Sequence, residues 1–250
     1  MDQLGVGLVF LAALLTAVAT GLGALPLLLV RQVGRRWLGL ANALAAGLMT
    51  AASATLLLEG GARGLGRTVL GLGLGMVLIR LSHVAIERHG EVDIGALHGA
   101  DARKALLIVG VMTLHSFAEG IGVGVSFGGG TELGELISAA IAIHNIPEGL
   151  AISLVLVPRG VSVPKAAWWS VFSSLPQPLM AVPAYLFVTL FAFLLPVGLG
   201  LAAGAMLWMT VADLLPEARA KASDRAVAIT MGLAFVAMIG FQELVLRRAG

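Results

Sequence analysis

The chain has no cysteine among its 250 residues, which excludes disulfides and thiolate metal sites. Charge is also scarce. Only 12% of the residues are Asp, Glu, Lys or Arg, against roughly 25% in an ordinary soluble domain. What the chain has instead is apolar surface: 58% of it is hydrophobic and its mean hydropathy is +0.97. A water-soluble enzyme and a nucleic-acid binder are excluded on these grounds. A membrane-spanning helix takes about 20 apolar residues. The length therefore holds about eight spans with short connections and leaves no room for a second soluble domain.

The few charges fall between apolar runs. Leu4–Val30 is uncharged and preceded only by Asp2, where a secretory signal would carry basic residues, so it reads as a retained first helix. The runs predict spans over 4–30, 37–58, 68–86, 105–127, 136–157, 166–194, 198–215 and 226–246. The break between the sixth and seventh is expected at Pro196 and Gly198. The fold class is thus an all-α integral membrane protein of eight transmembrane helices, and residues 1–250 form one transmembrane domain.

Basic residues are unevenly shared. The odd-numbered connections hold 11 of them: Arg31, Arg35, Arg36, Arg88, Arg103, Lys104, Arg159, Lys165, Arg219, Lys221 and Arg225. The even-numbered connections and the termini hold Arg63, Arg67, Arg247 and Arg248. The positive-inside rule places the odd connections in the cytoplasm and both termini outside, in a multi-pass protein of a cell membrane. Leu44–Met49 and Leu201–Met206 share the pattern LAAG-x-M. Spans five apart run in opposite directions, so the copies are inverted, and inverted repeats mark transporters. The expected arrangement is 3+2+3, with helices 1–3 and 6–8 as inverted repeats around helices 4–5.

Two spans carry groups that an apolar helix does not tolerate idly. Span 4 reads HSFAEG over 115–120 and span 5 reads HNIPEG over 144–149. In each, His and Glu are four apart and share a helix face. His115 lies ten residues into its span and His144 eight into its own. At about 1.5 Å per residue both sit near the middle of a ~30 Å hydrocarbon core. A carboxylate there costs several kcal/mol unless it is paired, protonated or bound to a cation. A hydrogen bond locking helix packing would account for one pair. Two matched pairs at one depth, His115 with Glu119 and His144 with Glu148, form a convergent nitrogen and oxygen ligand set. Such a set suits Zn²⁺, and less selectively Fe²⁺, Mn²⁺ or Cd²⁺. Pro147 frees the carbonyl of Ile143 inside the same segment.

These two segments resemble the ZIP (Zrt/Irt-like protein) metal transporters, HNIPEG closely and HSFAEG as a variant of the companion motif. The resemblance implies divalent metal uptake toward the cytoplasm by alternating access, through a site between helices 4 and 5. It implies a first metal on His115, Glu119, His144 and Glu148, with Met49 as a thioether ligand, and a second bridged by Glu148 and completed by Asn145, Ser116 and Gln177. Where the family often has Asn and Pro in the helix 4 motif, this chain has Ser116 and Ala118. Where it often has Glu-Pro in helix 6, this chain has Gln177-Pro178. Neutral Gln177 leaves the second site weaker, empty, or holding an ion that needs less charge. The family often has an acid at the position of Asp213, seven residues after Met206, which makes Asp213 an exit-path ligand; a charge capping the membrane edge is the plainer reading.

Other features stay open at this level. Pro176, Pro178 and Pro183 imply either a broken helix lining the pathway or a kink. The loop histidines His89 and His98, with Glu91 and Asp93, could gather metal but also fit a solvated loop. Glu59 reads as a solvated end charge more readily than as a ligand at the outer mouth. The small-xxx-small pairs Gly71/Gly75 and Gly120/Gly124 imply close helix packing, within the fold or in a homodimer. No HExxH occurs and no Glu-x-x-His lies in a span, so an intramembrane metalloenzyme ranks below transport. A metal-selective channel ranks below a carrier, because conduction needs weak, multi-site binding.

Overall fold

The structure, a computed structural model, describes residues 3–29, 34–88 and 100–249. The described residues are helical throughout, apart from short turns, and contain no strand. The α-helices are α1 (Gln3–Leu22), α2 (Pro26–Leu29), α3 (Arg35–Arg88), α4 (Ala100–Gly128), α5 (Thr131–Leu156), α6 (Val163–Ser174), α7 (Pro176–Leu190), α8 (Leu195–Met209), α9 (Leu215–Lys221) and α10 (Asp224–Ala249). Six stretches among the described residues are long and apolar enough to cross a membrane: Gly5–Leu29, Arg35–Leu81, Thr131–Leu156, Val163–Leu190, Ala192–Lys221 and Asp224–Val245. The chain is an integral membrane protein of the all-α class.

The helix boundaries differ from those expected, each for a local reason. The first apolar run is not one helix. α1 stops at Leu22, a turn follows at 23–25, and Pro26 opens α2, a position where its missing N–H costs nothing. Gly23 lies against α5, where a Cβ would stand 2.2 Å from the Ile146 carbonyl oxygen. The second and third runs form the two helices of α3, which meet at a kink at Gly64, where the backbone is extended, in place of a longer loop. The run 166–194 is divided at Leu175, ahead of Pro176, into α6 and α7. The next break comes at Phe191 (φ −122°, ψ 60°) and not at Pro196, which takes its place in the first turn of α8. Past Met209 the helix widens into a π turn over Thr210–Leu214 before α9. Pro216 cannot donate to the carbonyl four residues back, and the wider turn absorbs that defect.

α1 packs on α5, α6 and α7, while α4 packs on α5 and α7. α3 packs on α8, α9 and α10. Two groups result, joined by contacts of α3 with α5 and of α4 with α8. The helices of the two His–Glu motifs, α4 and α5, lie in the first group. The repeated hexapeptide is used in matching ways: a Cβ on Gly47 in the second span would meet the Met231 carbonyl of the eighth, and one on Gly204 in the seventh span the Leu72 carbonyl of the third.

The α3–α8 crossing is backbone against backbone. A Cβ on Gly71 would stand 2.0 Å from Val197 O, and one on Gly75 2.1 Å from Leu201 O. In return, a Cβ on Gly200 would stand 2.1 Å from Thr68 O, and one on Gly204 2.1 Å from Leu72 O. Hydrophobicity does little to join helices in lipid, so close approach of this kind supplies the contact. Gly75→Ala should therefore lower stability by about 1–3 kcal/mol. Gly73→Ala, on the same helix with nothing within 4 Å, should be neutral or raise stability by up to about 1 kcal/mol. Thermal unfolding of the two variants in detergent, side by side, checks this; equal melting would contradict the crossing.

The basic connections gather at one end. Arg35 donates to Ala220 O at 2.9 Å, and Arg159 and Lys221 line one cavity. At the other end Arg63 donates to Gly129 O and Arg67 to Phe193 O.

Candidate metal centre

α4 carries His115, Ser116 and Glu119; α5 carries His144, Asn145 and Glu148. The four-residue spacing sets each His over its Glu, and the α4–α5 contact turns the two faces together. His115, Glu119 and His144 have no exposed surface, and Glu148 is 2% exposed. One ligand atom from each of the four lies within 4.8 Å of the others. Glu119 Oε1 stands 3.2 Å from His115 Nε2 and 2.6 Å from His144 Nε2. Glu148 Oε2 is 4.0 Å from His115 Nε2.

Glu148 is the informative member. Neither of its carboxylate oxygens has a hydrogen-bond partner among the described residues. A buried carboxylate without partners is costly, and a cation among these donors removes that cost. His115 contributes two ring nitrogens with no hydrogen bond, and His144 Nδ1 is in the same state. The four donors are two imidazoles and two carboxylates, a set matched in charge to one divalent ion.

Of the residues expected around a second ion, Gln177 and the amide nitrogen of Asn145 are drawn into hydrogen bonds. Gln177, at the start of α7, donates from Nε2 to Glu119 Oε2. Its Oε1 accepts from Thr16 Oγ1 and, at 3.3 Å, from Asn145 Nδ2. Asn145 Nδ2 also donates to Thr16 O at 3.0 Å. Ser116 Oγ and Asn145 Oδ1 are buried without partners among the described residues. Gly120 lets α7 come this close, since a Cβ there would stand 2.5 Å from Gln177 O. Gly124 meets Ala181 O in the same way. Both small-residue pairs named from the sequence thus serve packing inside the chain.

Thr16 was not singled out by sequence reasoning. The available signal was Thr16 with Thr20, two hydroxyls one turn apart on an otherwise apolar helix. Thr20 Oγ1 meets Ser174 Oγ at 2.9 Å, so both tie α1 to the α6–α7 pair.

Asp213 is not among the four. It lies half-buried on the π turn and lines a cavity of about 740 Å³ with Asn42, Met112, Ala151, Arg159 and Glu217. Met112 and Ala151 precede His115 and follow Glu148 by three residues, so the cavity reaches within about one helical turn of the centre. Glu59 lines a separate cavity of about 470 Å³ and pairs with Arg63, as an end charge does. Met49 is buried in the core. His89 and His98, with Glu91 and Asp93, lie outside the described residues.

The ZIP zinc transporter family profile matches residues 81–240. Among curated relatives, zinc transporter GufA of Myxococcus xanthus is 34% identical over 247 residues, covering 93% of this chain and 96% of the relative. Zinc transporter ZIPB of Bordetella bronchiseptica is 32% identical, covering 95% and 81%. A candidate zinc transporter of Arabidopsis thaliana is 47% identical over 97% of this chain, which spans 40% of that relative's length.

Proposed function

The chain belongs to the ZIP zinc transporter family, a family of transporters and not of enzymes, and on that premise we propose that it carries divalent transition-metal ions, zinc foremost, across a cell membrane into the cytoplasm. Cd²⁺, Fe²⁺ and Mn²⁺ are further cargo that the same donors accept. The reading rests above all on Glu148, buried with no hydrogen-bond partner among the described residues, beside His115, Glu119 and His144. In it the ion loses its water to those four, with Met49 as an added thioether ligand, and leaves past Asp213.

Eight crossings serve this path: α1 with α2, the two halves of α3, then α4, α5, α6–α7, α8–α9 and α10. Both termini then lie outside. The clustering of Arg35, Arg159 and Lys221 at one end favours that orientation. The cavity of about 740 Å³ lies at the same end, which supports reading this as the inward-facing form. Outward access follows when the group of α1 and α4–α7 shifts against α3 and α8–α10. Ligands shed their protons when metal binds, so acid weakens uptake. Dry ligation by four groups favours a carrier over a channel.

The test is zinc uptake by the purified chain in proteoliposomes. Uptake that saturates with zinc, and that cadmium inhibits competitively, is expected. Linear, unsaturable flux would replace the carrier with a channel. Metal binding without flux by well-oriented protein would remove transport altogether.

A further inference from the structure

We propose that Gln177 fixes the centre at one ion, standing in place of a second cation and holding Glu119 for the first. This rests on the reading of His115, Glu119, His144 and Glu148 as the transport site. It adds an ion count and a positioning residue.

The hydrogen bonds carry the argument. A side-chain carbonyl oxygen has two lone pairs. Gln177 Oε1 is met by Thr16 Oγ1, whose single proton is shared with Ala13 O, and by Asn145 Nδ2 at 3.3 Å. A metal on that oxygen would have to displace both. The other end of the amide presents N–H to Glu119 Oε2, so a partial positive charge already occupies the side of that carboxylate where a second cation would bind. Glu119 Oε1, the remaining oxygen, faces His115 and His144. Gln177 thereby orients Glu119 to ligate through one oxygen.

Charge points the same way. Glu119 and Glu148 neutralise one divalent ion. The other oxygens nearby, on Ser116, Asn145 and Gln177, are neutral. A second divalent ion would leave two positive charges uncompensated in the membrane interior, where even one is expensive. Thr16 anchors the strut, because its hydroxyl meets Gln177 and its carbonyl meets Asn145. The strut thus ties α1, α5 and α7 to the carboxylate of α4.

The experiment counts Zn²⁺ per chain by elemental analysis after equilibrium dialysis of the purified full chain. Co²⁺ absorption reports the ligand geometry. Wild type should bind one Zn²⁺. Gln177→Glu should bind two, since it halves the uncompensated charge and replaces the amide with two carboxylate oxygens. Gln177→Met keeps the shape without the bonds. It should still bind one ion, but about 10–100-fold more weakly, the usual loss when a group orienting a metal ligand is removed, with an altered Co²⁺ spectrum. Asn145→Asp places a carboxylate in the same set and serves if Gln177→Glu does not fold. Two ions on wild type would overturn the proposal, as would one ion on both acidic variants. So would unchanged affinity and spectrum in Gln177→Met. Glu148→Ala should bind none. Wild-type zinc content in that variant would overturn the site itself and this proposal with it, a different failure from a wrong count.

Discussion

Glu148→Ala should reduce zinc uptake by at least about a hundredfold, the upper end of what losing even an indirect metal-supporting group costs. Its effect on the metal-free protein should run the other way. Glu148 makes no hydrogen bond among the described residues, so truncation breaks none. It removes a carboxylate whose burial opposes folding in the absence of a cation. The apo variant should therefore melt no lower than apo wild type. Zinc at 100 times its Kd should stabilise wild type by about 2.7 kcal/mol and leave the variant unmoved. Glu119→Ala gives the contrast. It strips contacts from His115, His144 and Gln177, so it should lose uptake and apo stability together. Melting curves of the three proteins with and without zinc, beside their uptake rates, check all of this. A large apo destabilisation in Glu148→Ala would mean that the carboxylate holds the fold and not an ion.

The second large effect lies beside the motif, at Gly149→Ala. A Cβ there would stand 1.7 Å from Thr20 O on α1, and backbone cannot swing aside as a side-chain end can. The two helices must part by more than an ångström. The cost should reach about 3 kcal/mol, the upper range for overpacking. The damage also travels, because Thr16 and Asn145 lie one turn before Thr20 and Gly149, and their 3.0 Å bond spans the same contact. Gly149→Ala should lower the melting temperature and the uptake rate together, while Gly7→Ala on α1, with nothing within 4 Å, should change neither. Normal melting and uptake in Gly149→Ala would show that α1 does not press on α5.

The centre was legible because the chain is so poor in charge. In a soluble enzyme His115, Glu119, His144 and Glu148 would be four among many. In apolar runs they stand out, and the helical period puts each pair on one face. The outline of the membrane segments was legible for the same reason. Partner choice was not. The break expected at Pro196 came at Phe191, because proline signals a turn only when it is not already in the first turn of a helix. The sorting of helices into two groups depends on which glycine meets which carbonyl, and nothing about Gly47 or Gly204 in sequence distinguishes Met231 from Leu72. Thr16 was hidden because a threonine in an apolar helix ordinarily bonds its own backbone, as Thr50 does to Ala46 O and Thr16 itself does to Ala13 O, and nothing in sequence marks its further contact with Gln177.

The four glycines that bring α3 and α8 together have a mechanical consequence. At a crossing without glycine, side chains form a layer that can change rotamer and let one helix slip along another. Between α3 and α8 that layer is missing over two turns. A slide of one residue would drive Leu72 or Leu201 into a gap sized for a hydrogen atom. This pair therefore behaves as a single bar, stiff against both shear and twist. Whatever moves when an ion passes must move along this bar, and the bar supplies the fixed reference against which a displacement of the centre can be measured.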